Sequence, residues 1–407
     1  MRPGDIFVSS ALLPVFARAD LTFERGEGVW LIEKSGDRYL DFGAGVAVNA
    51  LGHAHPALVA ALTEQASRLW HVSNLYNIAE GEKLAQKLVA NSFADLVFFA
   101  NSGAEANEGA IKIARKFQHA AGHPERYRIV TFDGAFHGRT LATLAAGGGQ
   151  KHLEGFGPKV EGFDHVAVGD EAALKAAIGP ETAAIMIEPV QGESGVKPVA
   201  PAFLRRLRDI CDENELLLIF DEVQTGIGRT GHLFAYQAAG VEPDIMTLAK
   251  GLGGGFPVGA VLATTHAASG MTPGSHGSTF GGNPLAMAVA GAVLDVVLAP
   301  GFLDEVKRKG LALKQKLAGV IDRHPAAVTE IRGEGLMLGL KCLVPNGEVV
   351  AALTNEHMLS VPAGDNVVRL LPPLIVSDAE IEEAVEKIDQ ALEDLEKKLA
   401  KGLSAAE

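Results

Sequence analysis

The sequence predicts an α/β fold: a large, mostly parallel sheet sandwiched by helices, with a smaller α+β part built from both ends of the chain. Three observations predict it. Between Asp95 and His276, short apolar runs alternate with amphipathic segments. Those runs are continuous in Val, Ile, Leu and Phe, as in strands buried on both faces of a parallel sheet. After about Pro300 the pattern changes to one long amphipathic stretch, strand-like pieces around Gly-Pro-Asn turns, and a final helix. A chain of 407 residues, 47% hydrophobic and with 47 glycines, suits a well-cored globular protein rich in tight turns.

Residues 1–48 carry Glu24-Arg-Gly-Glu-Gly28-Val-Trp30-Leu-Ile and Gly36-Asp37-Arg-Tyr-Leu-Asp41-Phe, which predict two short strands joined at Ser35-Gly36-Asp37. His53 and His55 follow, with no carboxylate or thiol cluster beside them; they read as turn and helix-start residues, and no metal site is expected. Helical spacing covers 57–70 and 80–90. Strands are expected at 96–99, 128–132, 184–187, 216–220, 245–248 and 258–263, with helices at 104–119, 171–177 and 201–214 between them. A helix is expected at 302–320, then strands within 328–343 and 367–371. Ser377-Asp-Ala-Glu380 opens the last helix as a capping box. Its apolar positions Ile381, Val385, Ile388, Leu392, Leu395 and Leu399 predict one face docked on its own domain. The linker is the turn Leu298-Ala-Pro300-Gly301, so that 49–297 form the large domain, 298–407 the small one, and 1–48 join the small one.

Composition excludes several functions. A formal net charge of −14 argues against nucleic acid or an anionic membrane as partner. No apolar run approaches the roughly 20 residues of a membrane span. Residues 1–16, with one Arg, Asp5 and Pro14, make a poor signal peptide. Cys211 and Cys342, without a CxxC or Cys/His neighbour, read as buried thiols, and the expected compartment is the cytosol.

Ligands of parallel sheets bind where strands end, and polar residues gather there. Ile245-Met-Thr-Leu-Ala-Lys250-Gly-Leu-Gly-Gly-Gly-Phe256 ends an apolar run on a lysine amid glycines that let a ligand approach the backbone. Half-apolar surroundings favour the neutral amine, a nucleophile toward carbonyls. Asn101-Ser102-Gly103-Ala104-Glu105 opens a helix with S-x-x-E capping, and its first amides, at Gly103 and Ala104, form a ready phosphate site. Phe136-His137-Gly138-Arg139 offers a stacking ring, an imidazole and a carboxylate-binding guanidinium. Glu188 and Glu193 follow the fourth run; too separated for an acid/base pair, they leave Glu193 to neutralise a cation. Asp221, directly after a fully apolar strand, needs a cationic partner, and a protonated pyridine nitrogen would serve. Ser278 and Thr279 supply hydroxyls ahead of a helix starting at Pro284. Each site alone reads equally as capping, core or turn. Together they suit pyridoxal 5′-phosphate, whose handles are a lysine and an acidic ring-nitrogen partner.

On Asn101-Ser-Gly-Ala-Glu-Ala-Asn107, Phe220-Asp-Glu-Val-Gln-Thr-Gly226 and Leu248-Ala-Lys-Gly-Leu-Gly-Gly-Gly255, the sequence resembles the class III (ornithine-type, subgroup II) aminotransferases of the fold-type I pyridoxal-phosphate enzymes. The resemblance runs from Phe23 to Pro373. It implies Lys250 bonded to the cofactor, Asp221 on the pyridine nitrogen, Gln224 near the ring hydroxyl and Phe136 stacked on the ring, with His137 beside them. It also implies that Ser102, Gly103 and Ala104 hold the phosphate, joined by Thr279 from the other subunit of a homodimer. Arg139 and Arg369 would bind substrate carboxylates, Ser278 would line the substrate end, and Glu193 would pair Arg369 when no carboxylate is bound. The implied reaction moves the terminal amine of N-acetylornithine to 2-oxoglutarate, a step of arginine biosynthesis. Succinylornithine, succinyl-diaminopimelate, ornithine and 4-aminobutyrate are the alternative donors. Ornithine-specific members carry an N-terminal tyrosine that residues 9–16 lack, which favours an acylated donor.

Overall fold

The fold is that of a computed structural model that describes residues 11–404, with side chains to residue 398. The first ten residues of the stretch read as no signal peptide, and the Leu399 side chain, lie outside the described residues. Three N-terminal strands, β1 (Phe23–Glu27), β2 (Trp30–Glu33) and β3 (Arg38–Asp41), form an antiparallel meander. Two were expected; the first expected strand is broken at Gly28, whose φ of +58 suits glycine.

Seven strands make the central sheet: β4 (Leu96–Ala100), β5 (Arg128–Phe132), β6 (Phe163–Val166), β7 (Thr182–Ile187), β8 (Leu217–Asp221), β9 (Ile245–Leu248) and β10 (Gly259–Ala263). Their order is β4-β10-β9-β8-β7-β5-β6, and β10 runs antiparallel to both of its neighbours. The expected six strands are all present. The seventh, β6, escapes prediction from sequence because Phe163-Asp-His-Val166 is an edge strand with two polar residues at its centre. Successive residues of each central strand point to opposite faces. Val130, Ile185, Leu218 and Met246 pack on one face with helices Pro201–Asn214 and Pro284–Val297. Ile129, Ala184, Leu217 and Ile245 pack on the other with helix Gly103–Ala120. Both faces being covered is what the unbroken apolar runs require.

The C-terminal sheet is antiparallel: β11 (Val328–Glu334), β12 (Met337–Cys342), β13 (Val361–Ala363) and β14 (Val367–Leu370), in the order β11-β12-β14-β13. The N-terminal meander joins this part, since β3 pairs in parallel with Met358–Leu359. Val29, Leu40 and Phe42 share a core with Leu338, Leu340, Leu370 and the last two long helices. The capping box forms as expected, the Glu380 carboxylate accepting the Ser377 amide at 2.7 Å while Ser377 Oγ accepts the Glu380 amide at 3.2 Å. Ile381, Ile388, Leu392 and Leu395 of that helix are buried against Leu313, Leu317 and Val320. Cys211 and Cys342 are buried and unpaired. Among the described residues no single helix is long and apolar enough to cross a membrane.

One cation spans the seam between the two sheets. Arg229, after β8, is 2% exposed and donates from Nη1 to the carbonyls of Leu336 (3.0 Å) and Pro372 (2.5 Å). Its Nη2 is buried with no hydrogen-bond partner among the described residues, and burial lowers its pKa to about 9.

Candidate active site

The C-terminal ends of β4, β5, β8 and β9 open on a cavity of about 420 Å³ lined by Ser102, Gly103, Phe136, Asp221, Gln224 and Lys250, among others. That size lies within the roughly 300–1,000 Å³ of small-ligand sites. Lys250 stands two residues beyond β9, at the head of a single 3-10 turn, with a φ of +44. A left-handed backbone at a non-glycine residue is strained and clusters at functional sites. The turn behind it needs glycine: a Cβ at Gly253 would lie 1.9 Å from the Phe256 carbonyl oxygen. Burial disfavours the Lys250 ammonium and lowers its pKa; Glu193 and Asp221 oppose the shift, while Arg369 adds to it.

Asp221 closes β8 and is buried. Its Oδ2 accepts from Asn107 Nδ2 and His137 Nδ1, both at 2.8 Å, and its Oδ1 accepts from the Val223 amide at 3.0 Å. Burial works against a charged His137 ring, but the Asp221 bond, the Asp221 charge and Glu188 outweigh it and raise the pKa. His137 Nε2 is buried and has no hydrogen-bond partner among the described residues. Beside this pair lies Glu188, which accepts the Phe136 amide at 2.8 Å. Burial, with the Asp221 charge, raises its pKa to about 7.

At the other wall, Ser102 caps helix Gly103–Ala120 by accepting the Glu105 amide at 3.2 Å. The Glu105 carboxylate returns to the Asn101 amide at 2.6 Å, one residue earlier than a regular capping box would have it. In a helix the first amides, here Gly103 and Ala104, have no carbonyl to donate to. A Cβ at Gly103 would lie 2.7 Å from Val223 Cγ1, so only glycine leaves the approach from β8 clear. Phe136 is half-buried, and the exposed Arg139 lies over its ring at 5.4 Å. Arg139 Nη2 also contacts His152 Nε2 at 3.3 Å.

Arg369 comes from β14 and is 2% exposed. It forms a bidentate pair with Glu193, at 2.7 and 3.1 Å, and its Nη1 reaches Gln224 Oε1 at 3.3 Å. Gln224 thereby links the cavity wall to Arg369.

Within one chain the structure does not bring Ser278 and Thr279 to Lys250. They line a neighbouring cavity with Asn101, Glu105, His276 and Phe280, where Ser278 Oγ accepts from Asn101 Nδ2 at 3.3 Å. His53 bonds Asp41 at 2.8 Å, and His55 caps helix Pro56–Ala66. Among the described residues no group of three His, Cys, Asp or Glu could hold a metal ion. Sequence reasoning missed Asn107, Thr247 and Val48. Val48 reaches the cavity because residues 44–47 wind left-handed, with φ of 46, 62, 62 and 63. Paired glycines and alanines at 43–47 were the available signal.

The cavity fits a flat anionic cofactor with a carbonyl: a half-buried lysine, an unbonded helix start, a half-buried ring and a carboxylate on its back wall. Comparison with known proteins agrees. The family described as "Aminotransferase class-III" matches residues 15–392. Acetylornithine aminotransferase 1 of Bradyrhizobium diazoefficiens is 67% identical, the match covering 93% of this chain and 94% of the relative. Acetylornithine aminotransferase of Brucella melitensis is 63% identical over 94% of this chain and 95% of its own. Among solved structures, N-acetylornithine aminotransferase from Stenotrophomonas maltophilia superposes with a TM-score of 0.83 at 38% identity, covering 94% of this chain and 98% of that one. Ornithine aminotransferase from Toxoplasma gondii superposes at 0.92 with 33% identity, covering 95% and 94%. With the family matched over nearly its whole length, the chain belongs to the class-III aminotransferases.

Proposed function

We propose that the chain transfers the terminal amine of N2-acetylornithine to 2-oxoglutarate in a two-stage cycle, giving N-acetylglutamate 5-semialdehyde and glutamate. The observation that carries this reading is the convergence of Lys250, Asp221 and Phe136 on one cavity, with the Arg369–Glu193 pair at its edge. Bound pyridoxal 5′-phosphate supplies an electrophilic carbonyl and an electron-withdrawing ring. Lys250 acts through Nζ: its neutral amine, favoured by burial, is the nucleophile and then the carrier of the proton. Asp221 offers its carboxylate to the ring nitrogen, with His137 behind it. Phe136 and Gln224, which both line the cavity, would hold the ring. Ser102, Gly103 and Ala104 hold the phosphate at the positive end of their helix. Arg139 and Arg369 take substrate carboxylates, and Glu193 occupies Arg369 between them.

The reading includes a homodimer in which a second subunit supplies Thr279 to this cavity, with Ser278 at the substrate end. It is supported by exposed Trp70, Leu75, Tyr76 and Phe280, an apolar surface beside the Ser278 loop, which Asn74 holds through the Ser278 carbonyl at 3.0 Å. It also includes the division into 1–48, 49–297 and 298–407, supported by the separate C-terminal core. Two free buried thiols suit the cytoplasm.

The test is a panel of single half-reactions, following the visible absorbance of the bound cofactor. N-acetylornithine should bleach it fastest, ahead of succinylornithine, ornithine and 4-aminobutyrate, and 2-oxoglutarate should restore it. Faster bleaching by ornithine or 4-aminobutyrate would replace the proposed donor.

A further inference from the structure

Of the three groups that hold the Asp221 carboxylate, Asn107 has no part in the proposed reaction. We infer that Asn107 positions Asp221 for the cofactor's ring nitrogen, with Thr247 fixing the orientation of the Asn107 amide; this rests on the proposed role of Asp221. Asn107 lies in the second turn of helix Gly103–Ala120 and is 1% exposed. Its Nδ2 donates to Asp221 Oδ2 at 2.8 Å and to the His137 carbonyl at 2.7 Å, and its Oδ1 accepts from Thr247 Oγ1 at 2.7 Å.

Chemistry leaves the amide one orientation. A carboxylate and a carbonyl only accept, so the amide nitrogen must face both of them. The amide oxygen then faces Thr247, whose hydroxyl donates. Thr247 stands opposite Asp221 in the register of β8 and β9, so acid, amide and hydroxyl arrive on three separate elements. A carboxylate has about four acceptor sites. Asn107 and His137 use Oδ2 and the Val223 amide uses part of Oδ1, leaving capacity on Oδ1 for one more donor. Packing alone would not place an amide here, since an unpaired buried amide is costly where an apolar side chain is not.

The test compares holoenzymes carrying Asn107→Leu, Asn107→Asp and Thr247→Val with wild type. It reads the dissociation constant of pyridoxal 5′-phosphate by equilibrium dialysis, the pH response of the bound cofactor's visible band, and the melting of the cofactor-free protein. Asn107→Leu should weaken retention roughly 10- to 100-fold, the range of a hydrogen bond to a charged group. Thr247→Val should weaken it by a smaller factor. Asn107→Asp, nearly the same shape, should at alkaline pH retain cofactor worse than Asn107→Leu, because it sets a second anion against Asp221. A packing role predicts the reverse ranking. Wild-type retention and pH response in Asn107→Leu and Thr247→Val, or better retention by Asn107→Asp than by Asn107→Leu at every pH, would overturn the inference. If Asn107→Leu does not fold, Thr247→Val decides. A wild-type protein that binds no pyridoxal 5′-phosphate would instead sink the proposed function.

Discussion

Arg369 and Arg139 are both proposed to take a substrate carboxylate, yet they stand in opposite environments. Arg369 is buried on a strand and clamped by Glu193 in a two-point pair. Arg139 is exposed on a loop, resting on Phe136 and His152. Glu193 occupies both Nη atoms of Arg369, so a carboxylate that binds Arg369 in the same two-point way must displace it. An exposed guanidinium is already solvated and gains less from each new partner. On the proposed reading, the buried arginine is therefore the one expected to discriminate between substrates with and without a carboxylate at that end. The exposed one is expected to contribute attraction and orientation.

The largest expected effect removes what both arginines serve. Lys250→Ala should keep the fold and lower both half-reactions by at least about a thousandfold, since nucleophile and proton carrier go together. Near-native turnover with an unchanged melting curve would remove Lys250 from its role. Arg369→Ala should cut kcat/KM for 2-oxoglutarate on the order of a hundredfold and affect the N-acetylornithine half-reaction less. Equal losses on both sides would break the contrast. Arg139→Ala should cost roughly tenfold, and its effect should shrink as salt is raised, because the group is exposed. A loss larger than that of Arg369→Ala would reverse the comparison. Glu193→Gln should change 2-oxoglutarate binding by only about threefold, toward tighter, because the keto acid no longer displaces an anion. Weaker binding would show that the pair organises Arg369 more than it blocks it.

The smallest effect concerns stability. The Lys250 pKa in the fold is lowered from 10.5 by burial, so the folded state is penalised at neutral pH, where the unfolded chain carries the proton freely. Lys250→Met should raise the melting temperature of the cofactor-free protein near pH 7. The gain should fade as pH approaches and passes 10.5, where the lysine is neutral in both states. A gain that grows with pH would contradict the direction of the shift.

Residues directly after apolar runs were legible, because a parallel sheet buries its strands and leaves the positions just beyond them open to a ligand. Lys250, Asp221 and the Phe136-His137 pair were found this way, and the geometry brings them together. The capped helix start at Ser102 was legible from its own spacing. Asn107 was not, since a polar residue inside an amphipathic helix carries no mark of the acid it touches 114 positions away. Thr247 sits within a strand and reads as an ordinary β-branched core residue. The edge strand β6 lacked the apolar run that revealed its neighbours. Ser278 and Thr279 were picked for their hydroxyls, but their cavity is a different one in a single chain, which no local pattern discloses.

Arg229 has a mechanical consequence. Sliding the C-terminal sheet against the central one would strip the Leu336 and Pro372 carbonyls from a cation that water does not reach. Pro372 lies three residues past Arg369, so this rivet also sets the distance between the buried arginine and the floor of the cleft. The two sheets are thereby tied together directly behind the strand that carries Arg369.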